Sequence, residues 1–311
     1  MNRKKTKKVA LVTGGCGFIG CHLVERLLKN RFEVVIIDNL SSGKKINIKE
    51  TKKMVRTYYS SVQKIKLSKI KRPDVVFHLA AQASVPLSCK RMYHSSKNNL
   101  LSSIKMIEFC CKENIPFVYA SSSAVYGNLS FGSECGKTEL LSPYSVDKYV
   151  LEIYTSMAAK TFHLNSFGLR FFNVYGPRQD PRNPYSGVIS IFADQIKKHR
   201  CIRINGGTQT RDFIHVSDIV QALIQAFVFL QKNSGAFVSN VLTGRSVSIN
   251  KLADLCQKKA GYKVQKQYFP LSVGDPKQSQ GSLRTMLSTL KMRPKIRLED
   301  GLRDTIFKEG N

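Results

Sequence analysis

The chain runs to 311 residues, 42% of them hydrophobic, which is enough to bury the core of one large α/β domain or of two closely joined ones. No apolar run approaches the ~20 residues needed to span a bilayer, so a membrane-embedded protein is not expected. Lys and Arg number 50 against 21 Asp and Glu, a formal charge of +29, an excess that suits nucleic acid, an anionic membrane or a small anionic substrate.

The basic residues are scattered, densest at 3–8 and 44–72. No basic helix carries base-stacking aromatics, so neither nucleic acid nor a membrane is an expected partner. At the N-terminus, "MNRKKTKKVALVTGGCGFIG" holds only the short apolar run "VALV" before its glycines, which fits a buried strand better than a signal peptide. The eight cysteines, Cys16, Cys21, Cys89, Cys110, Cys111, Cys135, Cys201 and Cys256, form no CxxC pair and no Cys/His ligand spacing. Reduced, mostly buried thiols in a cytoplasmic protein without a metal site are expected.

In chain order, "KVALVT" (8–13) reads as a strand and "FIGCHLVERLLKN" (18–30) as an amphipathic helix. "EVVIIDN" (33–39) and "DVVFHLA" (74–80) are strands, "SSIKMIEFCCKEN" (102–114) a helix, and "PFVYASS" (116–122) a strand. "SPYSVDKYVLEIYTSMAAKTF" (142–162) is a long helix and "NSFGLRFFNV" (165–174) a strand. Near-continuous apolar strands alternating with helices predict an α/β fold, a doubly wound parallel sheet of the Rossmann kind. "YGPRQDPRNPYSG" (175–187) reads as a loop. Helices follow at about 188–199 and 217–231, with "CIRING" and "RDFIHV" between them and short mixed elements from 235 to 311. The chain is thus expected to divide into a Rossmann domain at 1–174, with a returning segment near 210–232, and a smaller mixed α/β lobe at 175–311.

"VTGGCGFIG" contains Gly15-x-Gly17-x-x-Gly20 and Gly14-x-x-Gly17-x-x-Gly20, directly after a strand and at the start of a helix. Glycines allow the tight turn and let a pyrophosphate approach the backbone, and the helix N-terminus supplies N–H donors. Asp38 ends the second strand, 18 residues after Gly20. A carboxylate there accepts from a ribose 2′-hydroxyl and repels a 2′-phosphate, which favours NAD over NADP.

In "SPYSVDK" (142–148), Ser142 is an N-cap candidate, Pro143 suits the first helical position, and Tyr144 and Lys148 fall on one helix face. An unperturbed tyrosine, with a pKa of about 10, is a poor base at neutral pH. A nearby ammonium and an oxidised nicotinamide favour its phenolate.

Together with the glycine loop, "HLAAQASV" (78–85), "SSSAVYG" (121–127), "SPYSVDK" and "RFFNVYGPRQDP" (170–181) stand in the order of an extended short-chain dehydrogenase/reductase. From about residue 8 to 305 the chain resembles a nucleotide-sugar epimerase of the UDP-hexose 4-epimerase type. The resemblance implies bound NAD, contacted by Gly14, Gly15, Gly17, Phe18, Ile19, Gly20, Asp38, Asn39, Ala80, Ala81, Asn99 and Lys148. It makes Tyr144 the base that takes the sugar 4-hydroxyl proton, with Lys148 holding the nicotinamide ribose. Counted back from Val125, the family's Ser/Thr falls on Ser122, with Ser121 and Ser123 as rivals. Ser121, Ser123, Asn173, Arg211, Lys277 and Ser279 are the implied substrate contacts. Arg211 also has an ordinary alternative, an ion pair with Asp212. Asn99 resembles a residue that holds the catalytic helix. A homodimer, a UDP-sugar substrate and a role in polysaccharide or lipopolysaccharide synthesis are implied as well.

Similar sugar dehydratases carry an acidic pair after the Ser/Thr. Here Ser123 and Ala124 stand there, which argues against dehydration, and against a decarboxylase, since no acid lies in 122–124. The family's Gly-Asp pair after the third strand is absent from "YYSSVQ" (58–63), Lys277 replaces a common arginine, and Ser282 a usual aspartate. Ser279 is small where a bulky residue restricts the sugar pocket of similar enzymes. The resemblance therefore leans toward UDP-N-acetylglucosamine and UDP-N-acetylgalactosamine, with UDP-glucose and UDP-galactose also admitted. A UDP-glucuronate epimerase or decarboxylase is the neighbouring alternative, and a non-catalytic NAD-binding protein the more distant one.

Overall fold

The computed structural model describes residues 7–181, 187–271 and 275–307. Residues 182–186 of the predicted 175–187 loop and Gly274 of the 274–285 segment lie outside the described residues. The strands are β1 (Val9–Thr13), β2 (Glu33–Ile37), β3 (Val55–Tyr58), β4 (Val75–His78), β5 (Phe117–Ser122), β6 (Ser166–Phe171), β7 (Asn173–Tyr175), β8 (Cys201–Asn205), β9 (Thr210–His215), β10 (Ala236–Val241), β11 (Ser246–Ser248) and β12 (Gln265–Phe269). The helices are α1 (Phe18–Lys29), α2 (Val85–Lys90), α3 (Met92–Ser96), α4 (Ser102–Glu113), α5 (Pro143–Phe162), α6 (Val188–His199), α7 (Val216–Leu230), α8 (Ile249–Ala260), α9 (Arg284–Ser288) and α10 (Leu298–Phe307).

The chain forms two compact units that interleave in sequence. One comprises Met1–Ser121, Ser142–Leu169 and Leu223–Val238; the other comprises Ser122–Leu141, Arg170–Ala222 and Ser239–Asn311.

The first unit carries most of a seven-stranded sheet ordered β10-β6-β5-β4-β1-β2-β3. β1 runs parallel to both β2 and β4, β2 to β3, and β4 to β5. The strand order reverses between β1 and β4, and the crevice beyond the carboxyl ends of the strands at such a reversal is where doubly wound sheets take ligands. β1 is buried along its whole length, as a strand covered on both faces must be. Neighbouring residues of β4 show the two layers. Val76 joins Met106 and Ile107 of α4 and Leu151 and Ala158 of α5. Phe77 meets Phe227 of α7 edge to face, with ring centroids 6.3 Å apart.

In the second unit, β9 pairs parallel with β7 and antiparallel with β11, and β8 pairs parallel with β12. Its core joins Phe192 and Ile196 of α6, Leu252 and Cys256 of α8 and Leu302 of α10. The single strand expected at 165–174 is two strands. β6 belongs to the large sheet and β7 to the three-stranded one, because the chain leaves the first unit after Leu169. Four cysteines, Cys16, Cys21, Cys110 and Cys256, are buried, whereas Cys89 and Cys135 are exposed.

Candidate active site

The glycine loop is built so that side chains cannot enter it. Gly14 has φ +73°, and a Cβ there would lie 2.9 Å from the Ala80 backbone nitrogen. A Cβ on Gly20 would lie 2.1 Å from the Gly14 carbonyl oxygen. α1 then opens at Gly17 with no side-chain cap and no acid in its first turn. The first-turn N–H groups that a helix leaves without backbone partners therefore meet no acid from that turn itself, and the first turns of α1 fit a pyrophosphate.

Asp38 is buried just after β2. Its carboxylate accepts from the Cys16 N–H at 2.9 Å and the Leu40 N–H at 2.8 Å. A carboxylate has about four acceptor positions, so room remains for ribose hydroxyls. Burial raises its pKa, and the two amides oppose that rise. Asn39 caps its own turn, accepting from the Ser41 N–H. These features fit the adenosine half of NAD. Where the family's acid would stand, Ser60 and Ser61 are half-buried. Beside them Tyr59 is 45% exposed, with the Lys45 ammonium 4.8 Å from its ring centroid. The register that pairs Ile37 with Tyr58 sets Tyr59 alongside Asp38.

Behind the loop, Thr13 Oγ1 and His78 Nδ1 share a hydrogen bond of 2.8 Å, and His78 Nε2 lies 3.0 Å from Ser103 Oγ. Thr13 Oγ1 also accepts from the Ala80 N–H at 3.2 Å. Burial, and then the charge of Lys148, depress the His78 pKa to about 3, so the imidazole is neutral. The sequence offers no local signal for this string, since its members lie on β1, β4 and α4.

α5 begins as its sequence predicts. Ser142 accepts from the Ser145 N–H, Ser145 reciprocates at the Ser142 N–H, and Pro143 opens the helix. Tyr144, Lys148 and Glu152 recur every fourth residue and all are buried. The Lys148 ammonium lies 5.8 Å from the Tyr144 ring centroid and donates to the Ala120 carbonyl at 2.7 Å. Burial lowers the Lys148 pKa to about 8, against the opposing charges of Asp147 and Glu152.

Asn99 sits in a wide π turn at Lys97–Leu101. Its side-chain Oδ1 accepts from the Gln82 N–H at 2.7 Å, and its Nδ2 donates to the Gln82 carbonyl and to Asp147 Oδ2. These bonds tie the segment after β4 to α5.

The serine run divides. Ser121 is buried and donates to Glu152 Oε1 at 2.5 Å. Ser122 ends β5 in an extended conformation, its Oγ accepting from the Ala124 N–H at 3.1 Å. Ser123 starts the next turn, half-buried.

In the second unit two of the four remaining candidates, Asn173 and Arg211, contact the segment 275–279, which carries the other two, Lys277 and Ser279. Asn173 Nδ2 lies 3.4 Å from Ser279 Oγ, and Ser246 donates to the Ser279 carbonyl at 2.7 Å. The Lys277 carbonyl accepts from the Thr210 N–H, and the Lys277 side chain is exposed. Arg211 donates to the Thr210 and Pro276 carbonyls and pairs with Asp275. Its neighbour Asp212 is not its partner. That carboxylate accepts from the N–H groups of Thr243 and Arg245, because alternation along β9 turns the two side chains to opposite faces. Ser282 accepts from the Arg284 N–H two residues on, just before α9, a local turn contact that a serine makes as an aspartate does.

A glycine-rich strand-to-helix turn that fits a dinucleotide and a buried tyrosine–lysine pair lie in the same unit, an arrangement suited to an NAD-dependent enzyme. The profile of the NAD-dependent epimerase/dehydratase family matches residues 10–238, and the chain belongs to that family. A UDP-glucose 4-epimerase of Mycolicibacterium smegmatis is 31% identical over 306 residues, covering 95% of this chain and 96% of its own. Among solved structures, a UDP-N-acetylglucosamine 4-epimerase from Methanobrevibacter ruminantium, in complex with UDP-N-acetylmuramic acid, superposes with a TM-score of 0.91 at 35% identity and 97% coverage of both chains. The Thermus thermophilus UDP-glucose 4-epimerase in complex with NAD gives 0.86 at 31% identity, covering 96% of this chain and 97% of that one. Among the described residues, no helix is long and apolar enough to cross a membrane, and no group of three or more His, Cys, Asp or Glu is placed to hold a metal ion.

Proposed function

We propose that this protein is an NAD-dependent nucleotide-sugar 4-epimerase acting on UDP-hexoses and UDP-N-acetylhexosamines. The observation that carries the reading is the buried Tyr144–Lys148 pair on α5, in the unit that holds the dinucleotide loop. Held at the Gly14–Gly20 loop and Asp38, NAD would supply a reversible hydride acceptor for sugar C4, by way of a transient 4-ketone of the sugar whose other face the hydride would re-enter.

Tyr144 takes the proton of the 4-hydroxyl and gives it back after the ketone has turned. Lys148, fixed by the Ala120 carbonyl, keeps positive charge beside the phenol and donates to the nicotinamide ribose. Ser122 hydrogen-bonds the same sugar oxygen; Ser121, bound to Glu152, is supported as a structural neighbour instead. Asp38 accepts from the adenosine ribose. The three contacts of Arg211 to Thr210, Pro276 and Asp275 leave some of its five N–H donors for diphosphate oxygens, and Asn173 and Lys277 serve the same UDP group. Ser279 leaves space for a 2-acetamido group. The second unit, on this reading, is the substrate-binding lobe.

The apolar residues Val146, Ile153, Met157 and Phe162 are exposed on α5, which supports a homodimer through this helix. A cytoplasmic enzyme, with neither nucleic acid nor membrane as partner, completes the reading. No acid stands in 122–124, so elimination and decarboxylation are not favoured.

Incubating the protein with UDP-glucose, UDP-N-acetylglucosamine or UDP-glucuronate, without added reductant, tests the proposal. NMR is expected to show the 4-epimers of the first two. Accumulation of a 4-keto or decarboxylated product in their place overturns it.

A further inference from the structure

Glu152 is a buried acid to which the chemistry above gives no part. It stands one helical turn beyond Lys148 and two beyond Tyr144, on the same stripe of α5. Three successive residues of β5 meet this stripe. Tyr119 shares a 2.9 Å hydrogen bond with Thr155, the Ala120 carbonyl receives the Lys148 ammonium at 2.7 Å, and the Ser121 hydroxyl donates to Glu152. The last of these bonds sits one residue before Ser122, at 2% exposure for Ser121 and 7% for Glu152. A carboxylate kept there carries a desolvation cost that an apolar pair would not.

We propose that Glu152 is a positioning residue for the Tyr144–Lys148 pair, clamping the end of β5 to α5 through Ser121 while its charge faces the Lys148 ammonium. The proposal rests on the epimerase reading for its kinetic consequence, but not for its electrostatic one. Among the described residues, the titratable groups that meet Lys148 or interact with its charge are Tyr144, Asp147 and Glu152 on α5 and His78 on β4. Burial draws the ammonium toward neutrality, and Asp147 and then Glu152 resist that. Removing the Glu152 charge therefore makes Lys148 release its proton at lower pH.

Glu152→Gln keeps an acceptor for Ser121 and removes the charge. Two readouts apply: the pH profile of kcat, and the pH dependence of Lys148 acylation in the cofactor-free protein, followed by mass spectrometry. Both the alkaline limb of kcat and the acylation midpoint are expected to move down by about one pH unit. Ser121→Ala, which leaves the charge, is expected to lower kcat several-fold with both midpoints unmoved. Superimposable Lys148 titrations of Glu152→Gln and the parent, in folded protein, overturn the proposal.

Should Glu152→Gln not fold, Glu152→Asp carries the question. It retains the charge on a shorter arm, so kcat falls while the acylation midpoint stays; unchanged kcat or a displaced midpoint overturns the proposal. Failure of the epimerase reading shows separately, as absence of turnover in the parent with Lys148 titrating as expected.

Discussion

Lys148 holds its ammonium 5.8 Å from the centre of the Tyr144 ring, one helical turn away on the same face of α5. The two residues should fail differently when changed. Tyr144→Phe removes only the hydroxyl. Its kcat is expected to fall about 10²- to 10⁴-fold, the range for a positioned acid–base group, with NAD binding retained. Lys148→Met should weaken NAD binding as well. Steady-state kinetics and calorimetric NAD titration separate the two effects.

The depressed pKa of Lys148, about 8 against a usual 10.5, sets a sign for pH. Activity should decline above about pH 8 as the ammonium is lost. Stability should respond oppositely. Between about 8 and 10.5 the unfolded chain binds a proton that the folded chain does not, so Lys148 favours folding more as pH rises. Denaturation midpoints and kcat measured across this window check both directions.

His78 governs the acid side. Its folded pKa is near 3 and an unfolded histidine titrates near 6.5. From about pH 6.5 downward the unfolded state therefore gains a proton that the buried ring refuses. The stability His78 contributes is present above 6.5 and lost as pH falls toward 3, at up to about 1.4 kcal/mol per pH unit. A His78→Asn variant should start less stable yet show a flatter acid limb in urea melts between pH 6.5 and 4.

Gly20→Ala tests the loop. The added Cβ would lie 2.1 Å from a backbone oxygen, so α1 must shift away from the Gly14 turn. A loss of about 1–3 kcal/mol in stability is expected, as for other overpacked sites, with a collapse of NAD affinity. Thermal unfolding with and without NAD measures both.

On the proposed reading, Ser279 borders the sugar. Ser279→Tyr should abolish turnover of UDP-N-acetylglucosamine while sparing UDP-glucose, because the larger ring fills the space a 2-acetamido group requires. Equal loss on both substrates would remove Ser279 from the sugar pocket.

The features legible in the sequence are those decided by near neighbours. The Gly14–Gly20 spacing, the Ser142 cap and the four-residue step from Tyr144 to Lys148 are local, and their helices and turns formed as read. Partnerships over long sequence distances were not legible. Three adjacent serines gave no hint that Ser121 would be taken by Glu152, 31 residues on. Arg211 had an obvious partner in Asp212, yet pairs with Asp275, 64 positions away, since strand alternation outranks adjacency. The run 165–174 looked like one strand because apolar character does not record a change of sheet. His78 looked like any strand residue until Thr13 and Ser103 enclosed it.

The serine run also buffers the strand end against slippage. A one-residue shift of β5 that carries Ser122 to the Glu152 position carries Ser123 to the strand end, whereas the opposite shift brings Ala120 to Glu152 and Ser121 to the strand end. Hydroxyl chemistry at the strand end thus survives either error in register, and at Glu152 only one of them, although a slip ordinarily inverts the strand's faces. What such a shift cannot preserve is the pairing of Tyr119 with Thr155. The buried Tyr119–Thr155 pair and the apolar strand around it therefore favour one alignment, while the reactive edge at Ser122 is written in a letter that reads the same one place to either side.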